Sequence, residues 1–309
     1  MKLNGVLNLK KFDGPTSHDV VIRVRHIVPP NTKVGHAGTL DPMAEGVLPV
    51  CVGAATKIFP YLLECRKTYR AGMIFGRVTD TQDVTGKILS EKDSVDVSFE
   101  EAQGLLDSFL GPGFQVPPMH SALKVGGTRL YKLARDGKEV ERKERPVEIF
   151  SICPLEVAGN CLIFEVSCSR GTYIRSLCHD VGALQGAGGC MEYLTRTVLG
   201  PFRLEDAISL DEAESLAGEG RLEEVMVPLS EALAHLPTVK ITPEAESRFR
   251  NGVALAGKEF IFEEEFSPGK KVRVISSAGE LIAVGRVLQG GGPGGSHCRI
   301  NADRVFSRY

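Results

Sequence analysis

Residues 147–169, VEIFSICPLEVAGNCLIFEVSCS, hold two runs rich in β-branched and aromatic residues separated by a Gly-Asn pair. Such a pair is a tight-turn signal, so the two runs fold back as a hairpin and commit the chain to a sheet. KTYRAGMIFGRVT, residues 67–79, has strand character too and ends on the turn cluster DTQDVTG; NGVLNLKKF near the N-terminus is a further short strand. Helical signals alternate with these strands. Thr16 or Ser17 can cap a helix whose Val20, Val21, Val24 and Val28 share one face. Ser98 and Glu101 have capping-box spacing and open a helix expected to end near Gly111. In RGTYIRSLCHDVGALQG a loop runs into a helix with Ile174, Leu177, Cys178 and Val181 on its inner face.

The pattern changes twice more along the chain. After Arg203 an acidic helical stretch follows, and from about Val239 the sequence breaks into short strands and turns, ITPEAESRFRNG among them, which suggests a small appended β-barrel. GGGPGG, from Gly290, is a loop within it rather than a phosphate cradle, because no helix start follows. The length of 309 residues fits one large domain or two unequal ones. No apolar run approaches the roughly 18 residues of a membrane span. The N-terminal residues lack a signal-peptide core, so a soluble, cytoplasmic protein is expected. The eight cysteines form no C-x-x-C pair, which argues against structural zinc and haem attachment and for reduced, mostly buried thiols.

A net charge of −2 gives no global sign of nucleic-acid binding, so any such function must rest on a local patch. One exists. Residues from about Val116 to Arg145 are mostly polar, begin with two prolines, contain a Gly-Gly turn, and carry eight basic residues against four acids between Lys124 and Arg145. Taken alone this is a solvated surface helix; taken with a partner it is a basic grip.

The stretch KVGHAGTLDPMAEGVLPVCVG, residues 33–53, places one carboxylate, Asp41, between glycines and an Asp-Pro pair. Asp-Pro is a common helix start, with Asp as the cap and Pro at the first helical position. The same geometry suits a reactive acid, since a helix N-terminus holds a carboxylate ionised. His36 nearby has the sequence context of a core histidine. RGTYIRSL offers Arg170, Tyr173 and Arg175 as partners, but periodicity does not place them in one pocket with Asp41.

Taken in order, GHAGTLDPMAEGVLPVCVGAATK, KTYRAGMIFGRVTDTQDVTG, VPPMHSALKVGGTRLYKLAR, RGTYIRSLCHDVG and YLTRTVLGPF resemble the TruB family of tRNA pseudouridine synthases. The resemblance runs from the N-terminus to about Phe202, and the C-terminal segment resembles a PUA-type RNA-binding domain. It implies an α/β (α+β) pseudouridine-synthase fold, with a mixed, largely antiparallel sheet and a central RNA-binding cleft in residues 1–236. It implies a thumb-like insertion at about 118–146 and a PUA-like barrel in 237–309. It implies isomerisation of uridine 55 in the tRNA T loop without any cofactor or metal. The partner implied is tRNA, held at its T arm and, through the C-terminal domain, at its acceptor stem, with no obligatory protein partner and a monomeric chain.

Residue by residue, the resemblance makes Asp41 the catalytic aspartate, Tyr69 the tyrosine stacked on the flipped base, and Arg175 the partner of the aspartate. It puts Tyr173 and Leu194 in the pocket, His36 in the space vacated within the T loop, and Lys57 near the site. Lys124, Arg129, Lys132 and Arg135 become the grip of the thumb. The chemistry agrees with such a set: cleaving the N1–C1′ bond develops positive charge on the sugar, which one ionised carboxylate can stabilise or trap. Attack at uracil C6, attack at C1′ and abstraction of the 2′ proton all remain open to Asp41. The competing readings are a non-catalytic tRNA-binding or folding factor and an RNA-guided synthase acting on ribosomal RNA. An unrelated aspartate-nucleophile hydrolase has no phosphate loop or acid cluster here beyond TDTQD, where Asp80 or Asp83 is expected to bond the backbone of a turn.

Overall fold

A computed structural model describes residues 3–93, 95–121, 123–261, 265–290 and 298–306. The expected hairpin forms: strand Arg145–Ala158 pairs antiparallel with Cys161–Cys168, closing on Gly159 and Asn160. Cys161–Cys168 pairs in turn with Lys67–Phe75, and Lys67–Phe75 with Gly189–Leu199, all antiparallel. On the far side, Gly5–Lys11 runs antiparallel to Glu45–Val52. Among the described residues, the strands of the two halves pair at a short parallel seam, Thr195 opposite Glu45 and Arg196 opposite Gly46. The result is one mixed, largely antiparallel sheet of 11 strands.

The seam is close because of a glycine. Gly46 has φ +101, and a Cβ there would run into the Arg196 backbone carbonyl. Only a residue without a side chain lets the strands approach.

Helix Ser17–Ile27 starts at Thr16 with a reciprocal capping box: Asp19 N donates to the Thr16 hydroxyl at 3.1 Å and Thr16 N to the Asp19 carboxylate at 2.8 Å. Its Val20, Val21, Val24 and the following Val28 are buried in the main core, as their spacing requires. Helix Phe99–Asp107 starts on Ser98 but stops short of Gly111, which opens the edge strand Gly111–Gln115. Helix Ile174–Gln185 ends at Gly186, φ +92, and buries Ile174, Leu177, Cys178 and Val181. The acidic stretch forms Leu210–Gly218 and shorter turns beyond it.

Two sequence expectations give way. No helix follows Asp41-Pro42: residues 41–44 make a turn, Ala44 N donating to Asp41 O at 3.0 Å, and the chain enters strand Glu45–Val52. The reason is the apolar run Val47–Val52, which is buried throughout and satisfies a central strand better than a helix. Conversely, part of ITPEAESRFRNG is helix Pro243–Arg250, with Pro at its start, acids in the first turn, and Ala245 and Phe249 buried one turn apart. Phe249 meets Phe260 edge to face at 5.7 Å.

The rest of the C-terminal region is a separate six-stranded, barrel-like sheet. The GGGPGG loop falls, apart from Gly290, outside the described residues. The cysteines are free; Cys51, Cys65, Cys168, Cys178, Cys190 and Cys298 are buried, whereas Cys153 is exposed. Among the described residues no helix is long and apolar enough to cross a membrane.

The barrel is packed on the large sheet rather than tethered to it. Val284 and Phe306 enter a core cluster with Ile58, Tyr61 and Leu62, and the Tyr61 hydroxyl donates to Asp303 at 2.8 Å. Phe306→Ala is expected to cost about 3–5 kcal/mol, the range for emptying a buried aromatic site. Denaturant unfolding of the full chain checks this by the shift in midpoint.

Candidate active site

A cleft of about 1400 Å³ opens across the seam of the sheet. Of the residues singled out from sequence, His36, Asp41, Tyr69, Tyr173, Arg175, Leu194, Arg129 and Arg135 all line it. Lys57 does not: it is exposed on the short 3₁₀ turn Gly53–Ile58, away from the cleft lining. Lys124 and Lys132 are exposed on the thumb and likewise stay outside the lining.

The loop carrying Asp41 has no regular structure, so its backbone groups are met by side chains from three other elements. Lys11, at the end of the first strand, donates to the carbonyls of Pro42 at 2.8 Å, Ala44 at 2.6 Å and Phe12 at 3.0 Å. Ser17, in the first turn of its helix, both donates to Leu40 O at 3.0 Å and accepts from Leu40 N at 2.8 Å. Arg196 donates to Gly38 O at 3.0 Å and Val47 O at 2.8 Å. Burial pushes Lys11 below its ordinary pKa, with Asp13, Glu45 and Asp41 pulling the other way.

Asp41 faces Arg175. The Arg175 Nε lies 3.0 Å from the Asp41 carboxylate, and Asp41 keeps 38% of its side chain open to the cleft while Arg175 keeps 6%. Asp41 thus owes its charged partner to an arginine rather than to a helix dipole. Arg175 spreads its donors instead of gripping one carboxylate with both: Nη1 donates to Thr81 O at 3.0 Å and stands 3.5 Å from Asp83, and Nη2 donates to His120 O at 2.8 Å. Asp83 is buried and also accepts from Thr85 N at 3.0 Å and from the Thr81 hydroxyl at 2.7 Å. Asp80 accepts from Lys87 N at 2.8 Å, so both acids of TDTQD bond the backbone of the turn.

Sequence reasoning missed Asp83 as a second carboxylate on Arg175, because the turn and the helix are brought together only by the fold. It missed Gln115 as well, whose side chain clamps Tyr173 by its backbone N at 2.8 Å and its O at 2.9 Å.

Tyr69 and Leu194 are both nearly closed off, at 7% exposure, and form an aromatic and an aliphatic wall. Burial raises the Tyr69 phenol pKa, opposed chiefly by Arg196. Burial also raises that of Tyr173. Burial and then the Arg196 charge lower the His36 pKa, so the ring is neutral at neutral pH; its Nδ1 is buried without a partner. Tyr131, unmarked in the sequence reading, stands in the thumb between Arg129 and Arg135, whose guanidinium carbons lie 5.9 and 5.7 Å from its ring centre.

The thumb itself is a small hairpin, Lys124–Val125 with Thr128–Arg129, running into helix Leu130–Arg135. Leu130 is buried and anchors it.

Two family models match consecutive parts of the chain: the N-terminal domain of TruB family pseudouridylate synthases over residues 25–174, and the C-terminal domain of tRNA pseudouridylate synthase B over 175–234. The chain is 46% identical to the tRNA pseudouridine synthase B of Geobacter sulfurreducens, over 81% of this chain and 82% of that one. It is 41% identical to that of Clostridium perfringens over 92% and 95%. Among solved structures it resembles an H/ACA ribonucleoprotein bound to a substrate RNA containing 2′-deoxyuridine, at TM-score 0.75 and 27% identity over 98% of this chain and 85% of that one. A Cbf5–Nop10–Gar1 complex is similar at TM-score 0.75 and 29% identity, over the same shares of the two chains. Fold and cleft together therefore have the form of a pseudouridylate synthase. Within that class, the chain belongs to the TruB family.

Lys67 offers a pH test of the cleft floor. Its ammonium donates to Leu63 O at 2.9 Å and Cys65 O at 2.7 Å, and burial, followed by Arg196, holds its pKa down to about 8 from 10.5. The unfolded chain therefore binds more protons between those values. The cost of burying the charge is present in full below about pH 8 and is relieved as pH rises toward 10.5. Relative to Lys67→Met, native stability should rise across that window by an amount on the order of 3 kcal/mol. Parallel denaturant titrations of the two proteins measure it.

Proposed function

We propose that the protein isomerises uridine 55 in the T loop of tRNA to pseudouridine, with Asp41 as the catalytic carboxylate. The observation that carries this reading is the Asp41–Arg175 pair, open on the carboxylate side and buried on the arginine side, at the base of a cleft walled by Tyr69 and Leu194. The names of the relatives supply the substrate: those matched at 41–46% identity are tRNA pseudouridine synthases.

In this reading the target nucleotide leaves the loop stack, at a cost of a few kcal/mol, and its uracil lies against Tyr69 with Leu194 behind it. Arg175 orients the Asp41 carboxylate as the glycosidic bond breaks. Asp83 divides the attention of the arginine, so that Asp41 is held by one donor and stays free to approach the sugar or the base. The uracil then turns, C5 bonds to C1′, the C5 hydrogen leaves as a proton, and N1, freed from C1′, takes one up. In the same reading His36, which lines the cleft, enters the space the uridine leaves in the loop.

RNA is attracted by the rim. Arg129, Arg135, Arg145 and Arg170 line the cleft, in which Asp41 is the one acid among the described lining residues. The thumb of residues 118–146 grips the T arm, and the barrel of residues 237–309 continues the RNA surface toward the acceptor stem. The chain acts as a monomer without an obligatory protein partner.

Incubation with T-arm RNA carrying tritium on uridine C5 tests the assignment, because forming the new bond expels that hydrogen. The native protein should release tritium at position 55 and Asp41→Asn should release essentially none. No release by native protein removes the activity, and equal release by both removes Asp41 from its role. Arg129→Ala combined with Arg135→Ala should weaken RNA binding and flatten the dependence of log affinity on log salt by about one unit for each phosphate no longer neutralised. An unchanged salt slope would take the thumb out of the interface.

A further inference from the structure

Arg196 is 1% exposed, yet no carboxylate pairs with it among the described residues. A buried guanidinium served only by neutral acceptors is costly compared with an apolar side chain of the same size. Its position suggests what the charge is for. On its strand it stands directly opposite Tyr69 on one side and Gly46 on the other, at the seam where the two halves of the sheet meet. Nη2 holds the carbonyl of Gly38, three residues before Asp41, and Nε holds that of Val47, six residues after it. Gly38 has φ +100, and a Cβ placed on it would lie 3.5 Å from the Arg196 Nη1 and 4.0 Å from the Lys67 side chain. The positive charge of Arg196, on the strand position facing Tyr69, is also the principal influence opposing the rise that burial causes in the Tyr69 phenol pKa.

We propose that Arg196 is a positioning residue of the isomerisation site, a single planar cation that fixes the loop on both sides of Asp41 and sets it in register with Tyr69. This rests on the roles given above to Asp41 and Tyr69. Lysine cannot replace it: an ammonium on a flexible stem does not hold two carbonyls on separate donors of one rigid plane. Ser17 and Lys11, reaching the loop from helix and strand, hold its backbone alone; Arg196 holds that backbone from the strand position directly opposite Tyr69. The distinction decides what a substitution should do. Loss of a strut loosens the loop, whereas loss of Arg196 breaks the alignment between carboxylate and base while leaving the RNA-binding rim intact.

The test is single-turnover tritium release from T-arm RNA by the full chain, comparing native protein, Arg196→Lys, Tyr69→Phe, the double variant and Asp41→Asn. Arg196→Lys should lower the rate constant by about 10²-fold, the scale of a misplacement near 1 Å. Its RNA dissociation constant should stay within about threefold of native, since the rim arginines are untouched. The double variant should lose less than the product of the two single losses, because both substitutions remove the same interaction. A rate constant within about threefold of native, or losses that multiply, overturns the proposal. If Asp41→Asn keeps the native rate, the assignment of Asp41 falls and this proposal with it; if Asp41→Asn is inactive and Arg196→Lys is not impaired, only Arg196 loses its role. Should Arg196→Lys fail to fold, the ¹⁵N spectrum of the arginine side chains decides. A slowly exchanging Arg196 Nε–H signal that shifts in Tyr69→Phe supports the coupling, and one that does not shift refutes it.

Discussion

Cations bonded to backbone carbonyls are the interaction on which this site depends. The loop from His36 to Ala44 makes few backbone hydrogen bonds of its own, and left to itself it would sample many conformations. Lys11 and Arg196, both almost wholly buried, take up the carbonyls of Gly38, Pro42, Ala44 and Val47. Charge-assisted bonds of this kind are strong, and inside a dry core they are also unforgiving, since neither the cation nor the carbonyl has water to turn to. The two residues come from strands on opposite sides of the seam, so the loop is held from both halves of the sheet at once. Asp41 is thereby delivered to Arg175 by a finished fold.

The balance of charge follows from the same arrangement. Beneath the rim arginines lie three buried cations, Lys67, Arg175 and Arg196, and two of them answer to carbonyls rather than to acids. Asp41 and Asp83 share the third. The cleft is therefore positive in sum while holding one exposed carboxylate at its base, which suits a polyanion whose reacting sugar develops positive charge. A net charge of −2 for the whole chain conceals this, because many of the acids fall elsewhere, as in the helical stretch after Arg203.

Legibility is uneven for physical reasons. Hairpins and capped helices depend on neighbours in sequence, so the Gly159-Asn160 turn, the Thr16–Asp19 box and the inner face of helix Ile174–Gln185 can all be read from the chain. Asp41-Pro42 misleads because a capping signal is local, whereas the burial of Val47 to Val52 on both faces is decided by the sheet around them. Helix Pro243–Arg250 escapes notice for the opposite reason: its capping and charge pattern are present, but a run of strand signals around it outweighs them. Lys57 lies on the chain between two cleft segments and yet points to a different surface, since the turn after strand Glu45–Val52 carries it away.

By itself the sequence determined which segments are strands and helices in most of the chain, which residue types could carry the chemistry, and through the order of its motifs the family to which it belongs. Those properties reside in short stretches, where periodicity and turn chemistry act over a few residues. The tertiary structure decided that Arg175 would answer to Asp41, Asp83, Thr81 and His120 together, that Gln115 would clamp Tyr173, and that Arg196 would sit between Tyr69 and Gly38. Each of those contacts joins residues far apart in the chain through a sheet whose strand order, and whose narrow seam at Gly46, no local pattern encodes.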